Sequence, residues 1–457
     1  MLIPYISSKE EGERYGLIGT VFFSLSLSES SSSPTPTLLS TLRSTPHVGC
    51  GPFRSSDIDA SVSWLDSGAS FVVFEVDPEA KEEEIVSVPS VAAAIVLLPP
   101  NRVVVRIIGG ENGSILPSSS SSSSSSMLNL SPSLCAALHV LKDHVRGFIF
   151  SIVGSAIATE LVSAIKAHMG SNSELIIERS VTAEAGVVIQ PLDVGRLHRQ
   201  GVNVLSLVQR DANASAEDIE LQTSKGKLDI GACITSCIRS DRPDGLFTTV
   251  VSDEIGRTLG LVYSSRESII EAVRCGRGVY YSRSRNGLWR KGDTSGNYQE
   301  LKSVSVDCDG DALLFTVRQL GVVPAFCHLN TRSCWGEDGG LSALERTLAA
   351  RLVDAPPGSY TKRLFEDEKL LKDKLMEEAM ELAEASEPDH VAAEAADLLY
   401  FAFVRCAKAG VSISDIEKHL DRRALKVRRR QGDSKAYRIE AAKAFEEGLK
   451  NQGASAM

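Results

Sequence analysis

The sequence has little that would tie it to nucleic acid or to a membrane. Its 49 Lys and Arg stand against 59 Asp and Glu, a formal net charge of −10. The basic residues are dispersed, so there is no electropositive stripe to track a phosphate backbone, and no nucleic-acid partner is expected. No run approaches the roughly 18 apolar residues of a membrane helix, so no membrane association is expected. The opening MLIPYISSKEEGERYG lacks a basic region followed by an apolar core, and a cytoplasmic location is therefore expected. Nine cysteines are an odd number, scattered without the spacing of a small disulfide-stapled domain. In a reducing compartment they point to metal ligands or spare thiols.

What is present fills several domains, since 457 residues at 43% apolar composition can bury more than one core. Residues 1–195 alternate apolar runs with helical stretches, as in FVVFEVD at 71–77, VRGFIFSIVG at 145–154 and LIIE at 175–178, an α/β rhythm with no assigned role. The phrase WLDSGASFVVFEVD is similar to one unit of a βα barrel, but helix, Gly-containing turn and strand occur in many α/β folds. Two serine-rich stretches, SLSESSSSPTPT from Ser26 and the tract Ser118 to Ser126, are expected to be disordered loops, because they bury too little apolar surface to offset their ordering entropy. Residues 228–338 change to short strand-like runs, a β-rich α+β domain. Residues 341–445 change again to Ala, Leu, Glu and Lys at helical spacing, an all-α domain. There SEPD at 386–389 breaks one helix, Gly410 ends the next, and Ser414 with Glu417 forms a capping-box pattern.

The middle domain holds the most informative segment, VDCDGD, with Asp307, Asp309 and Asp311 at alternate positions and Cys308 between them. In an extended strand Asp307 and Asp309 share a face and Cys308 points the other way. Clustered carboxylates suit Mg²⁺ and thiolates suit zinc, so one strand is expected to serve two metals. Cys327 and Cys334 follow in FCHLNTRSC. Three protein ligands leave a tetrahedral zinc one position open for water. On spacing alone the same residues read equally as buried hydrophobes and a solvated acidic loop. Cys233 and Cys237 have no neighbouring ligands and read as buried structural thiols. Upstream, YYSRSRNGLWRKGDTSGN places Arg283, Arg285, Arg290 and Lys291 beside Thr294 and Ser295, the donors a phosphorylated substrate needs.

Taken together, GLVYSSRES, GVYYSRSRNGLWRKGDTSGN, VDCDGDALLF and FCHLNTRSC closely resemble the phosphoribosyl-AMP cyclohydrolase family over about residues 240–336. The resemblance implies magnesium ligands at Asp307, Asp309 and Asp311, zinc ligands at Cys308, Cys327 and Cys334, and a catalytic His328 that shuttles a proton. It also implies a homodimer, whose zinc site Cys327 and Cys334 of another subunit would complete. Extra residues in QLGVVPAF before Cys327 depart from the family without removing a ligand. The implied chemistry is hydroxide attack on C6 of the adenine ring, zinc lowering the pKa of its water from about 16 toward 7.

In the helical domain Glu377, Glu378 and Glu381 lie within one turn of each other, and Glu394 and Asp397 repeat the pattern on a following helix that reads as buried. Packed antiparallel, such helices gather carboxylates that repel unless a cation intervenes, although a solvated acidic face reads the same way. The order SYTKRLF, KLMEEAMEL, EAADLLYF and KVRRRQGD resembles the phosphoribosyl-ATP pyrophosphohydrolase family over about 341–435. That implies Mg²⁺ on Glu378, Glu381, Glu394 and Asp397, with Glu377 and Glu378 helping to activate water. Lys374 and Arg428, then Lys362, Arg363 and Arg429, become candidate phosphate contacts. Phe401 departs from the histidine of bacterial members.

The expectation is a bifunctional hydrolase of histidine biosynthesis, binding ATP-derived small nucleotides, with the domain order of fungal multifunctional proteins but without their histidinol dehydrogenase. Two other readings use the same residues: a catalytically inactive, metal-stabilised regulatory or scaffold subunit, and a zinc nucleobase deaminase joined to a general pyrophosphatase. The intact ligand set argues against the first, and the missing HxE and PCxxC pattern against the second.

Overall fold

Eight short runs of branched and aromatic residues in the first half of the chain form parallel strands: β1 (Leu2–Ile6), β2 (Thr20–Ser24), β3 (His47–Phe53), β4 (Phe71–Val76), β5 (Val103–Ile107), β6 (Gly147–Ser151), β7 (Glu174–Glu178) and β8 (Val202–Ser206). In this computed structural model β8 pairs with β1 and closes a barrel. The structure describes residues 2–45, 47–108, 130–151, 159–178, 190–209, 227–321, 324–336, 339–429 and 432. It divides into two compact units, one of Met1–Gly336 with Arg422–Val427 and one that begins at Glu337.

Alternation along each strand separates the barrel's two cores. Ile3, Phe22, Val73, Val104, Ile149, Ile176 and Leu205 fill the bore, while their neighbours Val72, Val105, Phe148 and Ile177 face the surrounding helices. Gly49 is required there, because an added Cβ would lie 2.1 Å from the Phe71 ring. The phrase WLDSGASFVVFEVD is the end of helix Ile58–Ser67, a left-handed turn at Gly68 and β4. The barrel closes only at Ser206, beyond the boundary expected at 195.

One expectation is corrected. The first serine-rich stretch, expected as a disordered loop, contains helix Leu27–Ser30 and runs through Ser31–Thr35 into the start of helix Pro36–Ser44. Ser26 and Glu29 cap each other, and the buried Trp64 donates its indole N–H to the Ser32 carbonyl at 2.9 Å. Local capping and this anchor supply what apolar burial does not. The tract Ser118 to Ser126 lies outside the described residues.

A two-stranded pair, β9 (Val208–Gln209) and β10 (Leu228–Asp229), leads into helix Ile230–Cys237, where Cys233 and Cys237 are buried. This helix packs tightly on helix Pro191–Arg199, since a Cβ on Gly195 would meet the Ser236 carbonyl at 2.1 Å. The β-rich part is a six-stranded sheet in the order β14-β13-β12-β11-β16-β15, with β11 (Phe247–Ser252), β12 (Thr258–Ser264), β13 (Val279–Ser282), β14 (Gly287–Arg290), β15 (Gln299–Val306) and β16 (Ala312–Gln319). Helix Arg266–Cys275 connects β12 to β13.

The described elements of the second unit are helices Gly340–Val353, Tyr360–Glu366, Glu368–Glu384, Pro388–Lys408 and, up to Asp421, Ile413–Ala424. Pro388 occupies the first turn of its helix and Gly410 takes φ +68 just beyond the same helix. The capping box of the last helix is Ser412 with Asp415, two residues before the expected Ser414 and Glu417. The domain end expected at 445 lies outside the described residues. No helix among the described residues is long and apolar enough to cross a membrane.

Candidate active sites

The acidic segment is not the extended strand expected of it. Asp307 to Asp311 form the turn between β15 and β16, with Gly310 at φ +86. The cause is local: Asp307 Oδ1 accepts the backbone N–H groups of Gly310, Asp311 and Ala312 at 3.0, 3.1 and 3.1 Å. The turn, in place of strand alternation, brings carboxylate oxygens of Asp307, Asp309 and Asp311 within 4.8 Å of one another. Desolvation, then the charges of Asp309, Asp241 and Asp307, raise the Asp311 carboxyl above its ordinary value. Asp241 is therefore part of this acidic surface, though the sequence reading passed over it. Its only signal was its place at the edge of the resembling segment.

The three thiols do not meet within the chain. Cys327 and Cys334 are within hydrogen-bonding reach of each other, and Cys334 Sγ lies 3.0 Å from the Cβ position of Gly260. Gly260 pairs with Val251 and Val251 with Phe315, three residues along β16 from Ala312. Two strand spacings and three residue rises separate those positions by roughly 14 Å, and Cys308 lies beyond Ala312 in the turn. Thiolates on one zinc ion stay within about 4 Å of each other. The Leu329 amide and Thr331 hydroxyl hold the Cys327 thiol below its ordinary value, while burial, then Cys327, raises Cys334. His328 is exposed, its Nδ1 3.7 Å from Cys327 Sγ.

The candidate phosphate contacts separate into two groups. Arg283 and Arg285 are exposed at the turn of the β13–β14 hairpin, Arg283 lying over the Tyr263 ring at 4.0 Å. Thr294 and Ser295 are exposed in the loop that leaves the hairpin's other end, roughly 10 Å away by strand rise. Lys291 is buried: its ammonium donates to the Phe326 carbonyl at 2.7 Å, beside Cys327 and Cys334. Arg290 pairs with Glu271 at 2.8 Å.

In the helical unit, helices Glu368–Glu384 and Pro388–Lys408 bring carboxylate oxygens of Glu378, Glu381 and Glu394 within 4.8 Å of one another. Glu378 is only 4% exposed, and Glu394 Oε2 is buried with no hydrogen-bond partner among the described residues. Desolvation and the charges of Glu378 and Glu394 raise Glu381. Three crowded acids and one orphaned oxygen are a donor set for a hard divalent cation. Asp397 is exposed and outside this trio, on a helix face that is less covered than its apolar composition implied. Lys374 bonds Glu378 at 2.6 Å and Glu377 at 3.0 Å and lies over the Phe401 ring at 5.3 Å, so its charge is engaged by the acids themselves. Lys362, Arg363, Arg428 and Arg429 are exposed. His390, 3.1 Å from Glu394 at i,i+4, is a further candidate the sequence reading missed, although its helical spacing was visible.

Both regions are similar to known proteins. The family described as phosphoribosyl-AMP cyclohydrolase matches residues 260–336, and phosphoribosyl-ATP pyrophosphohydrolase matches 341–424. A histidine biosynthesis trifunctional protein of Komagataella pastoris is 52% identical over 225 residues, covering 49% of this chain and 26% of that protein. The bifunctional protein his7 of Schizosaccharomyces pombe is 50% identical over 227 residues, 50% of this chain and 52% of that protein. The bifunctional protein HisIE of Gloeobacter violaceus is 39% identical over 204 residues, 42% of this chain and 92% of that protein. The chain thus spans about a quarter of the length of the trifunctional relative.

Proposed function

The chain belongs to the family of histidine biosynthesis bifunctional proteins, and from that premise we propose that its helical unit removes pyrophosphate from phosphoribosyl-ATP and its six-stranded domain opens the adenine ring of the resulting phosphoribosyl-AMP. One observation carries the reading: each domain gathers three carboxylates within 4.8 Å, at positions among those the family resemblance implies as magnesium ligands. The orphaned Glu394 oxygen fits Mg²⁺, which Glu378, Glu381 and Glu394 would hold, with Glu377 beside them. Asp397 would act as a more exposed partner of that group.

In the six-stranded domain Asp307, Asp309 and Asp311 would hold Mg²⁺ through hard oxygens. Cys327 and Cys334 fit zinc as an adjacent thiol pair, and with the acidic turn roughly 14 Å away, Cys308 would come from a second copy of the chain. Zinc, when bound, supplies a water acidic enough to be hydroxide near neutral pH. His328 stands next to the thiols with an exposed ring, positioned to move a proton between solvent and the purine nitrogen. Arg283 and Arg285 at one end of the hairpin, and Thr294 and Ser295 at the other, would hold the two phosphates of a substrate that carries one at each end. Lys291, turned inward, would balance thiolate charge instead of touching phosphate.

Purified protein incubated with phosphoribosyl-ATP and Mg²⁺ is expected to release pyrophosphate and then show the absorbance change of ring opening. A zinc chelator is expected to stop only the second step. Pyrophosphate release without later ring opening in zinc-loaded protein would remove the cyclohydrolase assignment.

A further inference from the structure

The barrel carries chemistry that neither proposed activity uses, and both family matches lie beyond it. Its bore is closed in the middle by the apolar layer of Ile3, Val73, Val104, Ile149, Ile176 and Leu205. Two residues further along five of these strands, the inward series continues as Tyr5, Glu75, Arg106, Ser151 and Glu178. A barrel that served only as scaffold would continue with branched apolar residues, because charges taken out of water are costly even when paired. This polar layer sits at the carboxyl ends of the strands, where barrels of this architecture place their reacting groups.

The contacts within the layer are asymmetric. Glu178 is filled: Tyr5 and Ser151 donate their hydroxyls to its two oxygens, and Arg106 Nη2 lies 3.1 Å away. Arg106 is 9% exposed, rests over the Phe22 ring and reaches Glu75 through Nη1 at 3.6 Å. Its Nε–H has no acceptor among the described residues, a buried cationic donor left open. Glu75, with 23% of its side chain exposed, has Arg106 as its ion-pair partner and further acceptor capacity. The open donor and the open acceptor therefore belong to one ion pair. Adjacent hydroxyls complement such a pair, one oxygen accepting from the guanidinium and the next hydroxyl donating to the carboxylate. A free phosphate does not, because Glu75 and Glu178 flank the arginine. Burial also raises the Glu178 carboxyl to about 7, which leaves the layer close to neutral and suited to an uncharged ligand group.

We propose that the carboxyl-end mouth of the barrel is a separate small-molecule site that grips the vicinal diol of a ribosyl group through Arg106 and Glu75. The diol recognition is independent of the two activities; only the choice of ribose among diols rests on them, since their substrates bring ribosyl groups to this chain.

The test uses the full chain with Cys334→Ser and Glu378→Gln in place, to silence the other two centres, and saturation-transfer NMR with adenosine and 2′-deoxyadenosine as probes. Adenosine is expected to bind with transfer to its ribose protons, and 2′-deoxyadenosine at least about tenfold more weakly, the cost of a lost bond to a charged group. Glu75→Gln, added to the same chain, is expected to weaken adenosine by a similar factor. Arg106→Lys, which keeps the charge without the Nε–H, provides a second measure should Glu75→Gln not fold. In the otherwise native chain, both substitutions are expected to leave pyrophosphate release and ring opening unchanged. Equal binding of the two nucleosides, or equal adenosine binding by Arg106→Lys with the barrel folded, overturns the site. Loss of either activity through these substitutions overturns the site's independence, whereas absence of both from the unsubstituted chain would count against the proposed function separately.

Discussion

Two inactive chains are expected to repair each other. Cys308→Ser and Cys334→Ser each remove a thiol from the zinc set, so each protein alone is expected to lose ring opening. The acidic turn and the Cys327–Cys334 pair are separated by two strands and three residues, roughly 14 Å, so the proposed three-thiol zinc site would draw on two protomers. In a two-fold dimer of one mutant with the other, one site carries both lesions and the second carries none. Random exchange makes half of the dimers mixed, so the mixture is expected to recover about a quarter of the native rate, and isolated mixed dimers about half. The assay is the absorbance change on adding phosphoribosyl-AMP to dimers purified through a different tag on each chain. Pyrophosphate release from phosphoribosyl-ATP serves as the internal control, because the helical unit is untouched. Mixed dimers that carry both tags and show no recovery would refute the shared site. So would a Cys308→Ser protein that keeps full ring opening.

Three further outcomes are expected. Glu378→Gln, at the most buried position of its carboxylate trio, is expected to lower pyrophosphate release at least about a hundredfold while ring opening of supplied phosphoribosyl-AMP is kept; equal loss of both would end the division of labour. Binding of Mg²⁺ to the helical unit is expected to release protons, because desolvation, Glu378 and Glu394 raise Glu381 in the metal-free protein. Calorimetry in buffers of different ionisation enthalpy reads this, with more release at pH 5.5 than at pH 8 and no pH dependence as the refuting result. The barrel is expected to lose stability as pH rises from about 4.5 toward 7 and to level off above. Glu178 holds its proton to about 7 in the folded chain against 4.5 ordinarily, so the folded state binds more protons across that window and deprotonation favours unfolding. The loss is at most about 3 kcal/mol, with Arg106 opposing it. Urea unfolding followed by Trp64 fluorescence, with Trp289 and Trp335 replaced by Phe, measures the slope, which Glu178→Gln is expected to flatten.

What sequence spacing reveals depends on how locally a site is built. The carboxylate trio was legible because i,i+3 spacing assigns Glu378 and Glu381 to one helix face and SEPD forces the chain back on itself. Asp397 has the same spacing from Glu394 yet falls outside the trio, because residues about 60° apart around the axis both face a neighbouring helix only where the packing of that helix allows it. The thiols show the opposite failure. Cys308 and Cys327 look like neighbours in the sequence, but an eight-residue strand lies between them and carries the chain roughly 25 Å away. Lys291 looked like a phosphate donor among polar neighbours, yet its ammonium turns under the hairpin to the Phe326 carbonyl.

The barrel marks the limit of local reading and also explains it. Closure depends on pairing between β1 and β8, separated by nearly the whole length of the domain, and no periodicity within either strand records that partner. Glu75 at the end of FVVFEV, Arg106 in VVVRI and Glu178 closing ELIIE each read as a charge carried where a strand meets solvent. Once the sheet closes, the same three positions face one another across a bore instead of water, and an ordinary strand ending becomes a buried ion-pair network. The cost of that burial grows with each charge, so a barrel needed only for support would be more stable with Val or Leu at these places. Replacing Glu75, Arg106 and Glu178 together by Leu is therefore expected to raise the barrel's resistance to urea while abolishing adenosine binding. If instead the triple variant unfolds more easily, the charges serve the fold, and the case for a ligand at that mouth fails with it.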